Sequence, residues 1–166
     1  MDRKDRQVRK GRVIGMMGKW RMRAMDRRTG EVVYEAAGRN LITDAGLGLA
    51  AGLLSGDESV GLTVFAIGTD GAAPNANDTA LGAEQARLAF TIRSRSGAKA
   101  EFSVYFPSTA CAFHIREGGV FGGSTADAGT PGSGTLFSRF LVDYDNSAGD
   151  VDLTFDYTVE VEVQQA

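Results

Sequence analysis

The stretch "FAIGTDGAAPNANDTALGAEQAR", Phe65 to Arg87, gathers the residue types most able to do chemistry in this chain. Asp70, Asn75, Asn77 and Asp78 supply hard oxygen donors of the kind that hold calcium. Their spacing is not that of an EF-hand loop, and no bidentate glutamate closes it. Asn and Asp also bend and cap backbone turns, so the turn reading is preferred. Gly68 and Gly71, and "GLGLAAG" at Gly46–Gly52, suggest a phosphate cradle. A P-loop needs a lysine behind its glycines, and a dinucleotide loop needs strand, G-x-G-x-x-G and helix in that order. Neither pattern is met.

Nucleophilic chemistry needs a base, and His114 is the single histidine. Between Phe113 and Ile115 it reads as a core or interface residue. Cys111, the single cysteine, lies three residues away, a spacing that sends two side chains to opposite faces of an extended strand. One cysteine leaves no internal disulfide and no cysteine-based zinc site; it reads as a small core residue. Glu84 and Glu117 sit near Arg87 and Arg116 in sequence and are expected to form ion pairs with them. Nothing in the spacing places two acids together for glycoside hydrolysis. No catalytic, metal or cofactor residue is assigned, and no cofactor is expected.

The elements that position these residues are mostly strands. Lys19–Met25 alternates Trp20, Met22 and Ala24 against Lys19, Arg21 and Arg23, and a turn at Arg28–Gly30 leads into Glu31–Glu35, which predicts a β-hairpin. "NLITDAGLGLAAGLLSG" places Leu47, Ala50, Ala51 and Leu54 at helical spacing, with Thr43 or Asp44 as cap and Gly56 as stop. Its glycines keep the helix short. Strands are expected at Leu62–Ile67, Ala86–Arg95, Lys99–Phe106, around His114 with an interruption at Gly118–Gly119, and at Thr135–Val142, which is apolar on both faces. From Val151 to Val163 every odd residue is apolar or aromatic, and the residues between are Asp, Thr or Glu. That pattern predicts a long strand with one buried face and one solvated acidic face, the latter also guarding against edge-to-edge aggregation. The fold class is therefore all-β, an antiparallel β-sandwich of about eight strands with one short helix near residues 43–55.

Composition bounds the rest. The 166 residues hold 43% hydrophobic and 23% charged residues with 22 glycines, an ordinary globular balance with many turns. No apolar run approaches the roughly 20 residues that span a bilayer, and no secretory signal is expected. The net charge of −3 hides a division. Residues 1–28 carry eleven basic groups against three acidic, a balance of +8, and the remainder seven against eighteen, −11. Residues 1–18 read as a basic arm on a sandwich domain of residues 19–166. Arg3, Lys4, Arg6, Arg9, Lys10 and Arg12 are the arm's docking residues, expected to order on an acidic protein surface. Nucleic acid is an unlikely partner: no aromatic interleaves the first twelve residues, and the acidic body would repel phosphates.

Taken in order, "GKWRMRAMDRRTGEVVYEAAGRNLITDAGLGLAAGLL", "FAIGTDGAAPNANDTALGAE", "FHIREGGVF" and "LFSRFLVDYDNSAGDVDLTFDYTVEVE" resemble small virion structural proteins of tailed bacteriophages. In these an "N-L-I-T-x-x-G" helix start precedes an "I-G-T-G"-like turn with "D-T-x-L" downstream, then a glutamate–glycine segment and a final strand like "L-T-V-T-Y-T". Asp70 stands where many of them place glycine, and Gly119 where a leucine-like residue is usual. The resemblance covers most of residues 18–163. It implies a non-enzymatic tail-side component (fibre attachment, neck or baseplate) or a capsid-decoration protein. Other virion proteins would be its partners, a trimer or ring its assembly, and the virion, assembled in the host cytoplasm, its location. A host-surface carbohydrate module is the remaining alternative. On this reading Gly68 ends a strand, Gly71 lets the chain reverse, and Asp78 and Thr79 cap a turn that carries Leu81 inward. Glu84 and Arg87 pair locally or across a subunit boundary. This loop and the 122–134 loop are expected to form one end of the sandwich.

Overall fold

The computed structural model describes residues 13–164, folded as two five-stranded antiparallel sheets packed face to face. In chain order the elements are β1 (Val13–Asp26), β2 (Val32–Arg39), β3 (Leu41–Ile42), α1 (Asp44–Ser55), β4 (Leu62–Gly68), β5 (Glu84–Ala89), β6 (Ile92–Ser96), β7 (Lys99–Phe106), β8 (His114–Gly122), β9 (Thr135–Asp145) and β10 (Val151–Gln164). The first sheet runs β2-β1-β10-β7-β6 and the second β3-β9-β8-β4-β5. The all-β sandwich expected from the sequence is the fold; the described strands number ten rather than about eight. No helix among the described residues is long and apolar enough to cross a membrane.

The first sheet is built around its two longest strands. β10 pairs with β1 along its whole length, from Val13 opposite Gln164 to Asp26 opposite Val151. Leu153, Phe155 and Tyr157 face inward and are buried, as their alternation predicts. The outward residues are not simply solvated. Arg23 reaches Asp156 at 2.8 Å, Lys19 reaches Glu160 at 3.5 Å, and Tyr105 donates to Asp152 at 2.6 Å. Two of the five basic side chains of residues 19–28 are thus balanced by the acidic strand beside them, and Arg21 pairs with Glu35 on the other side. From Leu153 to Glu160 β10 lies between β1 and β7, so its acids there guard no edge. β6 does lie at an edge, and its exposed Arg93 and Arg95 suit that place.

Four sequence expectations change. Val13–Gly18 belongs to β1 and pairs with Val159–Gln164, so the sandwich claims six residues assigned to the arm; Ile14, Met16 and Met17 make that stretch strand-competent. The docking residues Arg3, Lys4, Arg6, Arg9, Lys10 and Arg12 lie outside the described residues. The strand expected over Ala86–Arg95 is two strands in different sheets. Phe90 N–H still bonds Thr63 of the second sheet, whereas Thr91 N–H bonds Ser103 of the first, so the chain changes sheets at one peptide. Gly118–Gly119 does not interrupt β8; a Cβ at Gly118 would enter the Phe140 ring, and one at Gly119 would meet Leu81. Finally, α1 has the expected Thr43 cap and left-handed Gly56 stop but buries Gly46 and Leu49, leaving Leu47 and Leu54 exposed. Gly46 sets that face, because it packs directly on the Phe137 carbonyl.

Between the sheets lies an aromatic core. Phe65 sits within about 6 Å, centroid to centroid, of Phe90, Phe106, Phe140 and Phe155. Trp20, the single tryptophan, is buried and stacked on Phe140 at 4.6 Å.

Candidate functional site

Two long loops leave the second sheet, residues 69–83 between β4 and β5 and residues 123–134 between β8 and β9. They leave from opposite ends of β4, since Gly68 pairs with Glu84 and Glu117 while Leu62 pairs with Gly122. Both turn back over the sheet's outer face. There Val64, Ala66, Phe121 and Leu136 form a second small core with Leu81 from one loop and Ala126 and Ala128 from the other. The loops therefore make an added layer on one sheet and not an end of the sandwich. The physical reason is the outward row of β4, whose Val64 and Ala66 alternate with inward Phe65 and Ile67 and need covering too.

A buried acid holds the first loop. Glu117 is fully buried on β8. It accepts the N–H groups of Ala83 at 2.7 Å, Gly82 at 2.9 Å and Asp70 at 3.3 Å, and Arg139 Nε at 2.9 Å. Arg139, also buried, bonds Asp78 at 3.2 Å and Asp70 at 3.4 Å with its remaining nitrogens. One guanidinium thus gathers three carboxylates at the place where a loop of hard oxygens would hold a cation. Other oxygens of the loop bind its own backbone: Asp70 accepts Ala72 N–H, Asn75 accepts Asn77 N–H, and Asp78 accepts Asn75 N–H. Of the side chains that suggested calcium, Asp70 and Asp78 bind Arg139, and Asn75 caps the turn between them.

A second arginine holds the second loop. Arg87 pairs with Glu84 through two bonds, 2.6 and 2.9 Å. Its third nitrogen donates to the carbonyls of Asp127 and Ser133, both at 3.0 Å. The guanidinium lies over the Phe121 ring, 4.6 Å from its centroid. Asp127 also accepts Thr130 Oγ1 and Gly129 N–H, bonds that hold its carboxyl below the usual range. Glu84 and Arg87 pair locally, within one chain, as one of the two expectations had it.

Several predicted site residues fall elsewhere. Glu117 does not pair with Arg116, whose side chain is exposed and packs beside Gly71; neighbours on a strand point to opposite faces. Gly68 and Gly71 are not needed for a left-handed backbone, since neither has a positive φ. At Gly68 the constraint is space, because a Cβ would meet the Ala83 carbonyl and Glu117. Asp78 ends a turn at Ala76–Asn77 instead of starting one, and Thr79 is exposed in an irregular segment, though Leu81 does turn inward. Arg139 is the residue that sequence reading missed. Its signal was a lone cation beside Ser138 and Phe140 in a strand expected to be covered on both faces.

His114 Nε2 meets Asp143 Oδ1 at 2.5 Å, with the Asp143 side chain largely solvent-exposed and that of His114 partly so. Asp143 borders an open cleft of about 390 Å³ with Trp20, Ala36, Arg116 and Leu141, but His114 is not among its lining residues. Cys111 is turned into the core. Among the described residues no three Asp, Glu, His or Cys side chains converge in metal-ligand geometry.

Fold and site define an all-β sandwich that carries two long loops, each clamped to one sheet by a buried arginine–glutamate pair. No family model, curated protein or solved structure matches the chain.

Proposed function

We propose that this chain is a non-enzymatic structural protein of a tailed-bacteriophage particle, a tail-side component acting by protein–protein docking through its arm, loops and strand edges. One observation carries the docking part. The polar residues best placed for chemistry in the long loop, Asp70, Asp78, Glu84 and Arg87 with Glu117 and Arg139, are spent on fixing loop shape. A surface loop held by a buried ion network is a shaped contact surface. The phage part rests on the ordered motifs from Gly18 to Glu162. The carbohydrate alternative loses its best anchor, because Trp20 is stacked in the core.

The test is the particle itself. Virus particles released by cells carrying the gene are purified by density gradient and assayed by quantitative mass spectrometry. The chain is expected in intact particles at a handful to a few dozen copies. Hundreds of copies would place it on the capsid as a decoration protein. Its absence from intact particles would overturn the virion reading.

A further inference from the structure

The first sheet is longer than the second at one end. β2 reaches β1 only from Lys19 onward, and β7 reaches β10 only as far as Glu160. Beyond both limits Val13–Met16 and Val161–Gln164 continue as a two-stranded ribbon, with Val161 N–H still bonded to the Ala98 carbonyl. Its inward face carries Ile14, Val161 and Val163, which are 67%, 44% and 49% exposed, the same face that buries Trp20 and Tyr157 further along. Where the ribbon leaves the sandwich it runs into a cleft of about 240 Å³, lined by Met16, Leu49, Leu53, Leu62, Phe102 and other apolar residues. Leu53 and Leu54, at the end of α1, add exposed apolar surface. Asn40 closes the outer edge of β1 at Gly18 by donating its N–H to the Gly18 carbonyl. From Val13 to Met17 no described strand lies on that edge. A two-stranded ribbon is marginal in water without a layer over its apolar face, and a bare edge invites a further strand.

We propose that this end is a self-association surface, and that its occupant is the same end of a second copy of this chain. Charge selects that occupant. Residues 1–12, which lead into the tip of the ribbon at Val13, hold six basic groups against two acidic, +4, and residues 13–166 hold twelve against nineteen, −7. A second copy offers each basic segment an acidic body, with Glu162 on the other face of the same ribbon. The contact is isologous: Ile14, Val161 and Val163 of each copy cover the other's cleft, and the free edge of β1 faces its own counterpart. An isologous contact closes at two copies, so this pairing is separate from the trimer or ring that the resemblance implies, and it does not depend on the virion.

Sedimentation equilibrium of the full chain tests it. Wild type is expected near twice the chain mass, with dissociation promoted by salt because the basic segment contributes. Ile14→Asp and Val163→Asp are expected at single-chain mass, with unchanged far-ultraviolet circular dichroism because both positions are exposed. The milder pair Val161→Thr with Val163→Thr keeps strand propensity and is expected to weaken association about tenfold or more, the size of losing one apolar anchor. A monomeric wild type, or assembly unchanged in all these variants, overturns the proposal. So does a monomer that floats with phosphatidylserine vesicles through the same residues, which would make the occupant a lipid surface. Failure here leaves the particle assay untouched, and absence from particles leaves the association untouched, so the two readings fail separately.

Discussion

Arg139 Nε binds Glu117 Oε2 at 2.9 Å with both side chains cut off from solvent, and between them the two residues hold Asp70, Asp78, Gly82 and Ala83. The bonded positions span most of the 69–83 loop, so two residues on neighbouring strands set the shape of a segment far from both in sequence. Buried ion pairs of this kind are weak sources of net stability but costly to break from one side.

Glu117→Gln keeps much of the side chain's shape and removes its charge, leaving Arg139 under-compensated. A loss of about 3–5 kcal/mol is expected, the cost of stranding one partner of a buried pair, read by chemical denaturation. Replacing both members with leucine is often harmless at such pairs. Here it should not be, because Asp70, Gly82 and Ala83 lose a shared acceptor for their N–H groups, at about 1–3 kcal/mol for each group left buried. A double variant as stable as wild type would show that the amides find other partners.

Gly68 and Gly71 are both glycines of one turn, yet they should respond differently to alanine. A Cβ at Gly68 runs into the Ala83 carbonyl and Glu117, both fixed, and about 1–3 kcal/mol of overpacking is expected. At Gly71 it meets only the end of the Arg116 side chain, which is exposed and flexible. Gly71→Ala should stay within about 0.5 kcal/mol of wild type. Equal melting temperatures for the two variants would contradict this account.

How much of this was legible beforehand depends on the range of the interaction. The β10 strand, the β1–β2 hairpin and the capped helix were readable because alternation, turn residues and caps are local signals. The sheet change at Phe90–Thr91 was not, because alternation continues through Ile92 while the hydrogen-bond partner changes from Thr63 to Ser103. Nor was the pairing of Glu117 with Arg139, since adjacent Arg116 offered a nearer charge. Strand geometry sends neighbours to opposite faces, so the sequence carried a warning against Arg116 but no pointer to Arg139. The second layer over the outer face of β4 was half legible. Val64–Ile67 is apolar without alternation, which signals a strand covered on both faces, but not by what.

Glu58 gives an acid-sensitive link between two connections. Its carboxylate accepts Ser124 N–H at 2.9 Å and Val60 N–H at 2.9 Å, with Ser59 N–H at 2.8 Å. These bonds, that from Ser124 foremost, lower its pKa from 4.5 to about 2. A depressed folded value means the contribution is complete above pH 4.5 and disappears as pH falls toward 2. The difference in melting temperature between wild type and Glu58→Gln should therefore be largest near neutral pH and close on acidification. Asp26, Asp127 and Asp145 are shifted the same way, but they are common to both proteins and cancel in the difference. A gap that stays constant down to pH 2 would refute the link.

Cys111 provides a reporter of core opening. It is fully buried, its thiol donates to the Pro107 carbonyl at 3.3 Å, and burial pushes its pKa up to about 11. Only the thiolate attacks a disulfide reagent, so at pH 8 the folded protein offers about one part in a thousand of the reactive form, behind packed side chains. Ellman's reagent should leave native protein unlabelled and react at the rate of opening as denaturant is added. Variants that loosen the turn before β8 should speed labelling in proportion to their loss of stability, because that turn encloses the thiol. Glu117→Gln should speed it only through global unfolding. Complete labelling of the native protein within minutes at pH 8 would mean that the segment from Pro107 to Phe113 opens independently of the sandwich.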